Sequence, residues 1–293
     1  MTPREPAIAE RMVAVDGVRF HVWSAGPARK RRTTPVVLLH GVPQTAATWA
    51  PLLRELAKDR IVIAPDLKGL GGSEARAPYD IPTLVDELAA LVLHEVDGTV
   101  DVVGHDWGGS LALALAGERP DLVRRLVVLS APYREVDLKA AFHMPLFALP
   151  VLPEVAFRLA GERIVRTMFD VAWKAEGASP LLDEYVAAYA PPARVAAMLA
   201  YYRAAVRPRL AAAVGGLLGR ETPRTGLPRV KVERSLVVWG TDDPPMPLAV
   251  GESVVRDLGE NATMLTVPGV GHWPHEEAPD VVLPAVAEFL RAV

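Results

Sequence analysis

The chain has 293 residues, 51% hydrophobic and 23% charged, with a formal net charge of −3. That length suits one large domain or a core with an insertion, and the slight acidic excess gives no case for nucleic acid or an anionic membrane as partner. The absence of cysteine excludes disulfides, thiolate catalysis and Cys-ligated metals. The N-terminal "MTPREPAIAERMVAVDG" lacks the apolar stretch of a signal peptide, and no run approaches the ~18 uncharged apolar residues of a spanning helix, so a cytoplasmic location is expected.

In chain order, "MVAVDGVRFHVWSAG" reads as a hairpin turning at Asp16-Gly17. "TPVVLLHG" is a continuous apolar run of the kind buried on both faces of a parallel sheet. "ATWAPLLRELAKD" has helical period, "RIVIAPDLKGLGGS" is a strand with a Gly-rich exit, and "IPTLVDELAALVLHEV" is a helix. "VDVVGHD" is a strand, "SLALALAGERPDLV" a helix, and "RRLVVLSAP" a further strand. This alternation specifies a parallel sheet covered by helices, with right-handed crossovers. Across 133–230 the rhythm changes to Ala, Leu, Pro and aromatics, with helical patches in "PEVAFRLAGERIVRTMFDVAW" and "PARVAAMLAYYRAAV" and a basic linker over 219–233. Strands return at "SLVVWG" and "ATMLTVPG", before a closing helix in "PDVVLPAVAEFLRAV". The pattern predicts an α/β core, 1–132 and 231–293, interrupted by a helical segment, 133–230.

Ligands of open α/β sheets sit at the carboxyl ends of the strands. Four strand exits carry chemistry here: "HGVP", "GHDWGG", "GTDDPPMP" and "GVGHW". "GHDWGG" has the glycine spacing of a nucleophile elbow with Asp106 at its tip, although an aspartate there could equally be a helix N-cap. Asp242 or Asp243 follows the next strand, and His272 the last. Nucleophile, acid and histidine in that order reproduce the chain order of a hydrolase triad.

As a set, "LLHGVPQTAATW", "PDLKGLGGS", "GHDWGG", "VVWGTDDPPMP" and "GVGHWPHEEAPD" resemble the epoxide hydrolase and haloalkane dehalogenase branch of the α/β-hydrolase family. The resemblance implies a mostly parallel eight-stranded sheet with a helical cap inserted after the sixth strand. It makes Asp243 the triad acid, leaving Asp242 as a turn residue. It assigns oxyanion stabilisation to the backbone N–H groups of Val42 and Trp107, and a loop-shaping role to His40. The cap segment "MLAYYRAAV" is similar to the one that carries a ring-opening tyrosine before an arginine, which makes Tyr202 the donor and Tyr201 its neighbour. "AAFHMPLFALP" has no second tyrosine; His143 stands where Cif-like bacterial epoxide hydrolases use a histidine. Trp107, Phe142, Tyr201 and Pro43 are expected to line the substrate pocket.

An aspartate nucleophile narrows the chemistry. A carboxylate attacking an sp3 carbon leaves an ester that water can cleave, whereas a serine would leave an inert ether. The expected activity is hydrolysis of an apolar epoxide to a vicinal diol through an ester on Asp106, without metal or organic cofactor; a homodimer is compatible with this reading. Haloalkane dehalogenation, with Trp107 and Trp173 as halide donors, is the alternative, and a non-catalytic binding protein of hydrolase fold the third.

Overall fold

The computed structural model describes residues 6–27, 33–217 and 227–292. Of the linker at 219–233, residues 219–226 lie outside that set.

The chain opens with β1 (Ala9–Val15) and β2 (Val18–Ala25), an antiparallel pair. Asp16 and Gly17 between them both have positive φ, as a tight two-residue hairpin turn requires. Then follow β3 (Val36–Leu39), α1 (Ala50–Leu56), β4 (Val62–Pro65), α2 (Ile81–Glu95), β5 (Val100–His105), α3 (Trp107–Glu118) and β6 (Val123–Leu129). Four helices come next: α4 (His143–Phe147), α5 (Leu152–Ala172), α6 (Leu182–Ala188) and α7 (Pro192–Leu217). The chain closes with β7 (Arg234–Gly240), α8 (Leu248–Leu258), β8 (Ala262–Val267), α9 (Pro274–Glu277) and α10 (Pro279–Arg291).

The eight strands form one sheet in the order β1-β2-β4-β3-β5-β6-β7-β8, parallel from β4 through β8, with β2 antiparallel to β4. The apolar runs of β3 and β5 are buried throughout because helices cover both faces. Val37, Leu39, Val102 and Val128 point to one side, packed with α2 and α3, and Val36, Leu38, Val103 and Val127 to the other, packed with α1 and α10. Each such side chain contributes about 1.5–3 kcal/mol by leaving water. Among the described residues, no helix is long and apolar enough to cross a membrane.

Three elements differ from the sequence reading. Helix α3 starts at Trp107, so Gly108 and Gly109 lie inside its first turn rather than in a loop before it. Contact with β3 dictates the small residues: a Cβ on Gly108 would sit 2.3 Å from the Leu39 carbonyl oxygen. Replacing Gly108 by Ala should therefore cost about 2 kcal/mol or more in a chemical denaturation midpoint, despite alanine's better helix propensity; an unchanged midpoint would contradict the contact. Helix α5 is interrupted at Ala160 (φ −146°, ψ 31°). Helix α7 runs past Val206 and through Pro208.

Candidate active site

Asp106 sits between β5 and α3 at φ +49° and ψ −120°, a conformation that costs a non-glycine residue free energy of order 1–3 kcal/mol. Neighbouring bonds hold it there. Its N–H donates to the Leu129 carbonyl at 3.1 Å, and its own carbonyl accepts from the Ser110 N–H at 2.9 Å. The tightness of the turn is what excludes side chains before and after it. A Cβ on Gly104 would meet the Gly108 carbonyl oxygen at 2.4 Å.

The Asp106 carboxylate is buried and its two oxygens differ. Oδ1 accepts the Val42 N–H at 2.8 Å, and Oδ2 lies 3.6 Å from His272 Nε2. Burial by itself raises this carboxyl. The adjacent His272 imidazolium, with the Val42 N–H, outweighs that and holds it below the usual range, so the group is an anion. The first turn of α3 directly after it adds the positive end of a helix dipole.

His272, on the loop after β8, has Nδ1 2.9 Å from Asp243 Oδ2. The Asp243 side chain is fully buried, and its Oδ1 accepts the Met246 N–H at 2.9 Å. Burial disfavours charge on His272, but Asp243 and Asp106 together outweigh it and push the imidazole up to about 10. At rest the histidine is therefore protonated between two carboxylates. The structure thus brings Asp106, Asp243 and His272 into one chain of contacts. Asp242 lies outside it, exposed, with Oδ1 accepting from the Thr241 hydroxyl at 2.9 Å.

Two cavities, of about 360 and 530 Å³, meet at this carboxylate. Asp106, His143, Tyr202 and Met246 line both. Trp107 lines the smaller, and Val42, Phe142 and His272 the larger. Tyr202 is buried, with its ring edge-on to Trp107 (centroids 5.3 Å) and to His143 (5.6 Å). Burial and the nearby Asp106 charge raise the phenol well above its ordinary value. Burial lowers His143 to about 4, so its ring is neutral. Both groups therefore keep a proton they can share, facing an anionic carboxylate.

Two expected pocket residues require correction. The Tyr201 hydroxyl donates to the Lys68 carbonyl at 2.9 Å, and its ring packs between Tyr79 and Trp107. Adjacent helix positions point about 100° apart, so only one of the two tyrosines on α7 faces the cavities. Pro43 is buried in the loop beneath Val42 and lines neither cavity. His40 is a loop element: Nδ1 donates to the Gly41 carbonyl at 2.8 Å and Nε2 accepts the Leu67 N–H at 2.9 Å. Trp173 packs with Phe169 and Trp273 and lines a separate surface groove.

Other contributors escaped the sequence reading. His105 Nε2 donates to the His272 carbonyl at 2.8 Å, and its Nδ1 lies 2.8 Å from Gln44 Oε1. Met246 forms part of the wall between the cavities. The position of His105 next to Asp106 in "GHDWGG" was the one available signal; Gln44 and Met246 had none.

An eight-stranded, mostly parallel sheet with an acidic elbow, a strand-end acid and a strand-end histidine defines a hydrolase of α/β architecture. The sequence matches the alpha/beta hydrolase family over residues 36–285, and the chain belongs to that family. It is 28% identical to AB hydrolase superfamily protein YfhM of Bacillus subtilis over 96% of this chain and 97% of that one. It is 25% identical to epoxide hydrolase 4 of Mus musculus, covering 94% of this chain and 77% of the relative. Among solved structures, epoxide hydrolase A of Mycobacterium thermoresistibile superposes with a TM-score of 0.76 at 25% identity, covering 98% of this chain and 99% of that one.

Proposed function

We propose that this chain is an epoxide hydrolase acting on apolar epoxides, with residues 133–230 serving as the cap over its site. The observation that carries the reading is the meeting of an anionic Asp106 with two neutral proton-bearing groups, Tyr202 and His143, around the same pair of cavities. The names of relatives such as epoxide hydrolase 4 support it.

In the first step Asp106 Oδ2 attacks a ring carbon while Oδ1 stays on the Val42 N–H. The carbon–oxygen bond breaks, and the ring oxygen takes its proton from Tyr202, with His143 as second hydrogen-bond donor. Esterification removes the Asp106 charge, one of the two that raise His272. The histidine then gives up its extra proton, which restores the Tyr202 phenol, and becomes a base oriented by Asp243. Water deprotonated by His272 adds to the ester carbonyl, and the N–H groups of Val42 and Trp107 hold the resulting oxyanion. Collapse expels the alkoxide, which takes the proton of the added hydroxyl to give the diol, and leaves the Asp106 carboxylate with one oxygen from water beside a protonated His272.

The haloalkane alternative is weaker on two observations. The Trp107 ring is packed edge-on against Tyr202 and lines only the smaller cavity, and Trp173 lines a separate groove that does not include Asp106. A panel of terminal and internal epoxides beside haloalkanes tests the reading. Diol without halide is expected; halide release without diol would overturn it, and turnover of neither would favour a binding protein. In the same assay Tyr202→Phe should lower kcat/KM about 10²-fold and His143→Phe about 10-fold, both acting on ester formation rather than hydrolysis. Full activity in both variants would remove the ring-opening pair.

A further inference from the structure

Helix α9 begins two residues after His272 and carries adjacent glutamates, Glu276 and Glu277. Glu277 makes no contact with either cavity, yet four backbone N–H groups converge on its carboxylate. Oε2 accepts from Gly271 at 3.0 Å, Lys174 at 2.7 Å and Ala175 at 3.2 Å. Oε1 accepts from Trp273 at 2.9 Å. The N–H between those of Gly271 and Trp273, that of His272 itself, donates to the Ala172 carbonyl at 3.0 Å. Three consecutive N–H groups around the histidine are thus fixed, two by Glu277 and one by the last residue of α5.

The approach of the two segments leaves no slack. A Cβ on Gly271 would lie 2.0 Å from the Ala172 carbonyl oxygen, so the loop rests directly on the end of α5. Glu276 pins the neighbouring region in the same way. It accepts from Gln44 Nε2 (2.6 Å), Thr48 Oγ1 (2.7 Å), the Tyr185 hydroxyl (2.7 Å) and Ser179 Oγ (2.6 Å). Hydrogen bonds to an ionised acceptor are roughly twice as strong as neutral ones, and four on one carboxylate define its position closely.

We propose that Glu277 is a positioning residue for His272, fixing the imidazole through the backbone on both sides of it and tying that placement to the 172–175 segment of the helical insertion. The inference rests on the functional reading above, because it assigns the effect to one of that reading's two steps. Attack by Asp106 depends less on the fine placement of the His272 loop, since the Val42 N–H holds Oδ1 whatever the position of the imidazole near Oδ2. Activation of water does depend on it, and a misplacement of about 1 Å can cost about 10²-fold in rate.

The test is rapid-quench intact-mass analysis of the wild type, Glu277→Ala and Glu277→Gln with a turned-over epoxide. In Glu277→Ala, adduct formation should stay within about 3-fold of wild type while ester hydrolysis slows about 30-fold, so the ester becomes the main species at steady state. Glu277→Gln should fall between, because its carbonyl can take the three Oε2 donors while its amide NH2 opposes the Trp273 N–H. If Glu277→Ala does not fold, Glu277→Gln alone decides the matter by slowed or unslowed hydrolysis. Equal slowing of both steps, or hydrolysis at the wild-type rate, would overturn the inference while leaving the function intact. A wild type that turns over no epoxide of the panel would overturn both.

Discussion

His272→Gln mixed with excess epoxide should gain the mass of one substrate molecule, on the peptide that contains Asp106. Ester formation needs an ionised Asp106 and a proton for the ring oxygen. Glutamine removes the His272 charge that helps to hold Asp106 ionised, but the Val42 N–H and the start of α3 remain on the carboxylate and Tyr202 still carries the proton. Hydrolysis of the ester needs a base, and glutamine is none. Diol release should therefore fall about 10³–10⁴-fold while the first turnover persists, a split that separates the two steps in one variant. Absence of an adduct in a variant whose wild type turns over the same epoxide would exclude the ester mechanism.

Asp106→Ser should abolish epoxide turnover, by at least about 10⁴-fold, and leave no route to recovery. A serine ether formed at an alkyl carbon has no carbonyl for water to attack. The backbone at this position already tolerates a side chain at positive φ, so the fold should remain. The same variant removes one of the two carboxylates that hold His272 at about 10, and an NMR titration should find its pKa moved downward. Diol formation at anything near the wild-type rate would show that Asp106 is not the nucleophile. An unmoved histidine would show that Asp106 does not share in its charge.

The candidate site was legible to different depths because its parts are specified at different ranges. The elbow is local: glycines at 104 and 108 are required by backbone approaches within a few residues or to the next strand, so they leave a mark in the sequence. Asp243 and His272 were legible through their place at strand exits. The choice between Asp242 and Asp243 needed the resemblance, since both follow the same strand and either could have turned inward. The structure separates them by burial, with Asp243 wholly inside and Asp242 in water. Tyr201 and Tyr202 posed the same problem on a helix. One residue's rotation decides which hydroxyl reaches Lys68 and which ring faces Asp106.

The sequence by itself determined the alternation of buried strands and amphipathic helices, the run of helices between β6 and β7, and the chemistry open to an aspartate at the elbow. Those are properties of residue type and short-range order, set by hydrophobic periodicity and by what a carboxylate can form and release. Only the tertiary structure decided which groups share a cavity, as Asp106, His143, Tyr202 and His272 do, and which stand behind it, as Asp243 does. Asp106, Asp243, His272, His143 and Tyr202 lie far apart in the chain, and their meeting depends on the order of strands in the sheet and on how α4 and α7 pack over it. Glu277 belongs to that second category as well. Nothing in "PHEEAPD" distinguishes its second glutamate from a solvated one until the ends of α5 and β8 are brought against it.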